Sequence, residues 1–259
     1  MNFKGKTAFV TGAGKGIGRA ISVGLASLGA NLVIADINEE ILNETELQVK
    51  ALGVEVRKAV FDVSDEDAVT REMNAAVEQF GQIHILVNNA GFGTVGKFVE
   101  TNLDFETQMI DTNCVAVHIL MKLFLKDMKK RNSGYILNVA SSAAFGPGPL
   151  MATYYATKSY VYNLTMALHE ELRKINSNVK VSCLCPGPVD TNFNNVAGVN
   201  FSVKPLSPNY VAKYAVDKML ANKGTIIPGI AIKSLNFIKR IVPTNLLLHC
   251  TYYQQKRKN

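Results

Sequence analysis

The fold is decided by the stretch TAFVTGAGKGIG, residues 7–18. A short apolar run, Thr7–Thr11, leads into a loop of glycines, and after the loop apolar residues recur every three or four positions, as on one face of a helix. That predicted face consists of Ile17, Ala20, Ile21, Gly24, Leu25 and Leu28, and Gly29 marks its end. A strand, a glycine turn and a helix in this order place free backbone N–H groups at a helix N-terminus, where a pyrophosphate can bind.

The glycines of the loop follow the pattern G-x-x-x-G-x-G, which Gly12, Gly16 and Gly18 satisfy. The pattern G-x-G-x-x-G does not fit, because Ile17 and Arg19 occupy the positions of its third glycine. Such a loop alone is weak evidence for a nucleotide site, since a plain tight turn also uses glycine.

Six more short apolar runs follow the first one, and amphipathic helical segments separate them. The predicted strands are Thr7–Thr11, Asn31–Ala35, Val54–Phe61, Ile83–Asn88, Gly134–Val139, Val179–Cys185 and Thr225–Ile227. Strands that alternate with helices predict an α/β fold, a Rossmann-like, doubly wound parallel sheet with helices on both faces. No linker or repeat divides residues 1–259, so we expect one domain, with residues 228–259 as an extension. In such sheets ligands bind outside the carboxyl ends of the strands.

An acidic residue, Asp36, follows the second run, 18 residues after Gly18. A carboxylate at this place accepts hydrogen bonds from the adenosine ribose and repels a 2′-phosphate, which favours NAD over NADP. Asp36 can also serve simply as a helix N-cap. Lys15 favours the opposite cofactor, because a cation in the loop attracts a 2′-phosphate. We give Asp36 the greater weight and keep NADP as the alternative.

Composition limits the class of protein. Hydrophobic residues make up 47% of the chain and charged residues 19%, which is enough apolar material for a core and argues against wholesale disorder. The N-terminus lacks the pattern of a signal peptide, and no apolar run is long enough to span a bilayer. Four cysteines without a CxxC pair, and four histidines without ligand spacing, predict no metal site and fit a reducing cytoplasm.

The positive charge is concentrated in the tail. Residues 200–259 hold ten Lys or Arg and a single acidic residue, Asp217, whereas the whole chain has a net charge of +7. A solvated face or contact with an anionic membrane would each explain this. No recognition motif or aromatic platform accompanies the charge, so we expect no nucleic-acid partner.

Several further motifs occur in a fixed order, and together with the loop they resemble the short-chain dehydrogenase/reductase family. They cover about residues 4–230 and are TGAGKGIG (11–18), Asp62, NNAG (88–91), Asn113, Ser141, YYATK (154–158) and PGPVDT (186–191). The resemblance implies an oxidoreductase that interconverts an alcohol and a ketone with a nicotinamide cofactor. It assigns the cofactor to Gly12, Gly14, Lys15, Gly16, Ile17, Gly18, Asp36, Asp62, Val63, Asn89, Ala90, Gly91, Tyr154, Lys158, Pro186, Gly187, Val189 and Thr191.

The predicted catalytic residues are Asn113, Ser141, Tyr154 and Lys158. Positions i and i+4 of a helix share a face, so Tyr154 and Lys158 can point into one cleft, whereas Tyr155 points about 100° away. A nearby ammonium group favours the phenolate and should draw the tyrosine pKa toward neutrality. Ser141 follows a strand and can donate to the substrate oxygen. By resemblance, Asn113 holds a water that links Lys158 to solvent; otherwise it is an ordinary polar group of a helix.

The predicted substrate residues are Ser141, Ala143, Phe145, Tyr154 and Phe193. Residues 139–153, VASSAAFGPGPLMAT, carry no charge. By resemblance this segment and the loop after Thr191, which adds Val196 and Phe201, surround the substrate. An apolar wall favours a neutral, hydrophobic alcohol or ketone. These side chains would otherwise simply pack in the core.

The tail contains a second apolar stripe at helical spacing, Ala231, Leu235, Ile238 and Val242, followed by Pro243 and Leu246–Leu248. Most such stripes are buried, so we favour a lid or a packing role over a membrane-surface helix. The tail replaces the glycine-rich last strand of many family members and resembles members that act on steroids or other lipids. By family analogy, helices at about Leu103–Lys130 and Ala152–Ile175 pair across a two-fold axis, giving a homodimer or a tetramer. A catalytically idle protein that binds nucleotide or lipid on this fold is the alternative from another class.

Overall fold

Parallel strands form one central sheet in the computed structural model, which describes residues 2–191, 193, 204–239 and 241–256 and, of residue 254, only the backbone. The described strands are β1 (Thr7–Thr11), β2 (Asn31–Asp36), β3 (Val56–Val60), β4 (Ile85–Asn88), β5 (Gly134–Val139), β6 (Val179–Leu184) and β7 (Thr225–Ile226). Their order across the sheet is β3-β2-β1-β4-β5-β6-β7, and every adjacent pair is parallel. The predicted doubly wound Rossmann-like sheet of seven strands is confirmed.

The strands are apolar because helices cover both faces of the sheet. The described helices are α1 (Gly16–Ser27), α2 (Glu39–Lys50), α3 (Glu66–Phe80), α4 (Leu103–Ile110), α5 (Ala116–Lys130), α6 (Ala152–Lys174), α7 (Pro208–Leu220), α8 (Ile230–Lys239) and α9 (Thr244–Lys256). One core packs α1, α2 and α7 against the sheet, and a second core packs α3, α5 and α6 against the opposite face. Strand order reverses between β1 and β4, so a crevice opens at the carboxyl ends of these two strands.

The predicted helix at 103–130 is interrupted. A π-helical turn, Asp111–Val115, separates α4 from α5. The wider turn accommodates Asn113, whose amide faces inward and bonds to the loop after β4 instead of lying on an apolar stripe. π-Helical turns within helices occur frequently at functional sites.

The tail packs onto the domain with a different face from the one predicted. In α8 the inward side chains are Ile232 and Asn236, whereas the predicted stripe residues Ala231, Leu235 and Ile238 are exposed. Ile232 is drawn inward because Gly187 leaves space for it: a Cβ on Gly187 would lie 2.6 Å from the Ile232 side chain. The predicted burial of the stripe is therefore wrong for Ala231, Leu235 and Ile238, whereas Val242 is half-buried.

The last helix, α9, lies against the segment that precedes α6. The Gln255 side chain donates a 2.6 Å hydrogen bond to the Tyr155 hydroxyl, and Leu247 lies next to Gly146. Among the described residues, no helix combines the length and the hydropathy that crossing a membrane requires.

Candidate active site

A cavity of about 660 Å³ lies outside the carboxyl ends of the central strands. The glycine loop, the ends of β2 and β4, the start of α6 and the segment after β6 all line it. The predicted site residues on its wall are Gly12, Lys15, Gly16, Ile17, Asp36, Asp62, Val63, Asn89, Ala90, Gly91, Ser141, Ala143, Tyr154, Lys158, Pro186, Gly187, Val189, Thr191 and Phe193. The topology thus brings together residues that lie as far apart in sequence as Gly12 and Phe193.

The glycine loop forms a cradle that side chains would fill. Gly12 and Gly16 adopt left-handed backbone angles, with φ of +61° and +56°, which favour glycine. A Cβ on Gly18 would lie 2.1 Å from the Gly12 carbonyl oxygen, and one on Gly16 would lie 3.0 Å from the Thr191 side chain. Gly14 and Gly18 shape the loop from behind and do not line the cavity.

Asn89 holds the glycine loop against β4, and Asp62 fixes the turn after β3. The Asn89 amide donates to the carbonyl oxygens of Thr11 and Gly12 at 3.1 and 2.9 Å. Asp62 accepts from the backbone N–H and the hydroxyl of Ser64, which fixes the turn after β3. The start of α1, which no side chain caps, the glycine cradle and the Asp36 carboxylate at the end of β2 fit a nicotinamide dinucleotide.

Asp36 presents its carboxylate to the cavity from the end of β2. One oxygen accepts from Gly14 N–H at 2.9 Å and the other from Asn38 N–H at 3.2 Å. The nearby cation Arg19 is turned away: it donates to Gly14 and Ile41 carbonyl oxygens and pairs with Glu44. Lys15 lines the cavity, so the acid and the lysine weighed in the sequence both face the same space.

Ser141, Tyr154 and Lys158 meet at the opposite end of the cavity. Ser141 follows β5, accepts a 3.1 Å hydrogen bond from Ala143 N–H, and also forms a hydrogen bond with the Tyr154 hydroxyl. Tyr154 and Lys158 are one turn apart on α6, and both are buried. The Lys158 Nζ lies 5.8 Å from the centre of the Tyr154 ring and donates to the Val139 carbonyl oxygen at 3.2 Å.

Burial has the largest effect on the pKa values of Tyr154 and Lys158. Desolvation raises the pKa of Tyr154 above its usual value, although a hydrogen bond with Ser141 acts in the opposite direction. Desolvation also lowers the pKa of Lys158 to about 8. The side chains of the protein therefore favour the phenol form of Tyr154, in contrast to the predicted fall of its pKa toward neutrality. A phenol is a proton donor, and at neutral pH the lysine beside it is still largely cationic.

Asn113 lies behind the cavity wall and organises it. Its amide oxygen accepts from Phe92 N–H at 3.1 Å, and its amide nitrogen donates to Phe92 O at 2.9 Å and to the Thr157 hydroxyl at 3.0 Å. A Cβ on Gly91 would lie 2.7 Å from the Asn113 oxygen and 3.2 Å from Lys158 Nζ, so only glycine lets the chain pass between them. Thr157 was missed in the sequence because it occupies a variable position of the YxxxK motif.

The substrate end of the cavity is mainly apolar. Ala143, Met151 and Phe193 line it, and the Phe193 ring lies 5.4 Å from that of Tyr154. Phe145 lies elsewhere: its ring packs 4.9 Å from Tyr162 and contacts the core. The reason is the 3₁₀ turn Ser142–Phe145, in which residues two apart point in different directions. Val196 and Phe201 lie outside the described residues.

The tail contributes wall residues that sequence reasoning did not assign to the site. Ile232, Leu235 and Lys239 of α8 line the cavity, as do Phe92 and Gln108 from the segment around α4. No sequence signal identifies them, because their position depends on how α4 and α8 pack over the sheet.

A family model, sequence relatives and solved structures all match this chain to dehydrogenases and oxidoreductases. A family model described as short chain dehydrogenase matches residues 6–199. The chain is 31% identical to estradiol 17-beta-dehydrogenase 11 of Rattus norvegicus over 94% of this chain and 82% of the relative. It is 30% identical to an oxidoreductase of Mycobacterium tuberculosis, SadH, over 93% and 92% of the two chains. A short-chain dehydrogenase/reductase from Burkholderia phymatum, solved in complex with NAD, superposes with a TM-score of 0.85 at 30% identity and covers 94% of this chain and 98% of that one.

Proposed function

Since this chain belongs to the short-chain dehydrogenase/reductase family of oxidoreductases, we propose that it interconverts a secondary alcohol and a ketone with NAD(H). The observation that carries the proposal is the meeting of the Ser141 hydroxyl, the Tyr154 phenol and the Lys158 ammonium group at one end of a cavity. The glycine cradle and Asp36 form the other end of the same cavity. A bound nicotinamide supplies or accepts the hydride.

Tyr154 acts as the acid in ketone reduction and as the base in alcohol oxidation. In reduction the carbonyl carbon gains a hydride, and the oxygen takes the proton of the Tyr154 hydroxyl, so that the C=O double bond becomes C–OH and a phenolate remains. Ser141 donates a hydrogen bond to the same oxygen and stabilises the charge that develops there. In oxidation the phenolate takes the alcohol proton back.

Lys158 and Asn113 support the tyrosine without touching the reacting carbon. The Lys158 charge stabilises the phenolate, since an ammonium group nearby favours the charged form of a neighbouring acid. Asn113 fixes the loop at Phe92 and, through Thr157, the turn of α6 that carries Tyr154 and Lys158. We propose that it acts as a positioning residue at the inner end of a path for protons.

We propose NAD rather than NADP as the cofactor. Asp36 lines the cavity at the end of β2, and the backbone N–H groups of Gly14 and Asn38 hold its carboxylate in place. A 2′-phosphate would meet this charge, and Arg19 is not available to compensate because loop carbonyls and Glu44 engage it. The Burkholderia phymatum structure was solved with NAD, which agrees with this choice.

A titration of NADH and NADPH, followed by nucleotide fluorescence, tests the cofactor. We expect the wild type to bind NADH at least about tenfold more tightly, a difference of about 1.4 kcal/mol. Asp36→Asn keeps an acceptor for Gly14 N–H but removes the negative charge. It should strengthen NADPH binding and so reduce the difference in affinity between NADH and NADPH. Lys15→Ala is the matched control and should leave the NADH affinity nearly unchanged. Tighter NADPH binding by the wild type, lost in Lys15→Ala, would contradict the proposal.

We propose a neutral, hydrophobic substrate. The substrate end of the cavity is lined by Ala143, Met151, Tyr155, Phe193, Ile232 and Leu235. Apolar walls of this kind bind ligands mainly by removing their surface from water. The rat relative is named an estradiol dehydrogenase, and estradiol is a hydrophobic alcohol.

A series of methyl ketones of increasing chain length tests both the reaction and the substrate class. We expect NADH-dependent turnover, with kcat/KM rising about fourfold for each added CH₂ until the cavity is filled, since each buried CH₂ contributes about 0.8 kcal/mol. Preference for polar ketoses would contradict the apolar substrate. Tight NADH binding without turnover of any ketone would identify the idle nucleotide-binding protein instead.

We propose a homo-oligomer, a dimer or a tetramer, built on α4, α5 and α6. Large apolar side chains are exposed on α4 and α6, including Leu103, Ile110 and Tyr160. Joining two copies across a two-fold axis would cover them. The free cysteines of the chain agree with a reducing compartment such as the cytoplasm.

A further inference from the structure

Large apolar side chains crowd the outer face of α8 and the turn after it. Ile230 is 84% exposed, Phe237 66% and Ile241 69%, and Ile238 and Leu246 are also exposed. Side chains of this size at neighbouring positions form a patch, and such patches mark interaction surfaces.

The orientation of α8 rules out a simple packing role for this patch. The helix has already buried its inner face, formed by Ile232 and Asn236, against the domain. Its outer face carries Ile230, Phe237 and Ile238, which are about as hydrophobic as a core-facing stripe would be. The helix is therefore docked on the protein and still presents an apolar face to the outside.

The segment that carries the patch has charge of one sign. Residues 218–259 contain eight Lys or Arg and no Asp or Glu. Lys233 is exposed on α8 beside Phe237, where it donates to the Tyr214 hydroxyl at 3.0 Å. An apolar helix face on a basic segment whose sequence contains no acid is typical of helices that lie in the interface of anionic membranes.

We propose that α8 and the turn at Ile241 dock on the surface of an anionic lipid bilayer, with Ile230, Phe237 and Ile241 entering the interface. A second copy of this chain fits less well, because a two-fold contact would bring each positive surface against itself. An anionic lipid surface is the partner whose charge complements the lysines and whose acyl region accepts the apolar side chains.

The same helix borders the cavity. Leu235 and Lys239 line the cavity wall, and Leu235 is also 44% exposed, so the wall and the docking face meet on α8. A hydrophobic substrate dissolved in the bilayer would then reach Tyr154 without crossing bulk water. The transfer of substrate from the bilayer to Tyr154 rests on the proposed function, whereas the docking itself does not.

Co-sedimentation of the full chain with vesicles tests the docking. We expect binding to vesicles of phosphatidylcholine mixed with phosphatidylserine, weaker binding to phosphatidylcholine alone, and a loss of binding at high salt. The double variant Phe237→Asp, Ile241→Asp should lower the partition coefficient at least about tenfold, because two apolar anchors become charged. The control is Leu47→Asp on α2, whose side chain is exposed to the same extent, 69%, as that of Ile241; it should bind like the wild type.

The folded state of each variant is checked by NADH titration and by turnover of a short, water-soluble ketone, both of which should match the wild type. Equal sedimentation with and without phosphatidylserine, or unchanged binding of the double variant, would overturn the docking proposal. A fall in the mass of the free protein on the double substitution would show that the patch joins two copies instead, which also overturns it. If vesicle binding holds but no ketone is reduced, the proposed function fails and the docking stands.

Discussion

Replacing Tyr154 with phenylalanine is expected to lower kcat for ketone reduction by about 10²–10⁴-fold, the usual contribution of a positioned general acid. The substitution removes one oxygen atom from a buried side chain and leaves the ring packed against Phe193. The affinity for NADH should therefore change little. Steady-state kinetics with a hydrophobic methyl ketone, together with an NADH titration, give the two quantities.

The adjacent tyrosine provides a matched control. Tyr155→Phe makes the same chemical change one residue along α6, at a residue that also lines the cavity. That hydroxyl accepts a hydrogen bond from Gln255, so we expect a small loss of stability and a change in kcat of no more than a few-fold. Equal losses in the two variants would show that the reaction does not depend on the hydroxyl of Tyr154.

Replacing Lys158 with methionine is expected to abolish measurable turnover and yet stabilise the fold. Burial lowers the pKa of Lys158 from 10.5 to about 8, which corresponds to a penalty of roughly 3 kcal/mol for holding the charge in the folded protein at neutral pH, at about 1.4 kcal/mol per unit. The lost hydrogen bond to the Val139 carbonyl offsets about 1 kcal/mol of this. Methionine fills a similar volume, so a net gain of about 2 kcal/mol remains.

The lowered pKa of Lys158 determines how the stability gain of Lys158→Met depends on pH. Below pH 8 the lysine is charged in both the folded and the unfolded chain, and the folded protein bears the full penalty. Between pH 8 and 10.5 the folded protein loses the proton first, so the penalty shrinks as pH rises. The advantage of Lys158→Met should therefore be largest at neutral pH and decline toward pH 10.

Thermal unfolding of the free protein at several pH values measures this advantage. At neutral pH we expect the melting temperature to rise by roughly 4–8 °C, since 1 kcal/mol shifts a protein of this size by about 2–4 °C. Lys122→Met on α5 removes an exposed lysine instead and should shift stability by no more than about 0.5 kcal/mol. A lower melting temperature for Lys158→Met would mean that the charge is stabilised in the folded state after all.

The fold and most of the site could be predicted because they depend on short-range patterns. Runs such as Thr7–Thr11 are apolar on both faces, as expected for parallel strands that helices cover on both sides. Side chains that come just after such runs meet at the edge of the sheet formed by the carboxyl ends of the strands. The choice of Tyr154 over Tyr155 followed from helical geometry, because Lys158 lies four residues after the first of them.

The features that were missed depend on packing between distant segments. Phe145 and Ala143 are two residues apart, and only the 3₁₀ turn decides that the first faces the core and the second the cavity. The stripe of α8 has apolar residues on most sides, so its periodicity does not determine which side docks. Gly187 has no side chain and therefore leaves space for Ile232, so the face of α8 that carries Ile232 packs against the domain.

The position of the last wall residues has a consequence for biogenesis. The cofactor half of the cavity is built from residues up to Thr191, whereas Ile232 and Leu235 of the substrate wall lie further along the chain, on α8. A nascent chain that folds from its N-terminus can thus complete the nucleotide cradle before α8 is translated. The substrate wall closes only after α8 has also emerged from the ribosome, so the nucleotide cradle can form before the wall that receives the substrate.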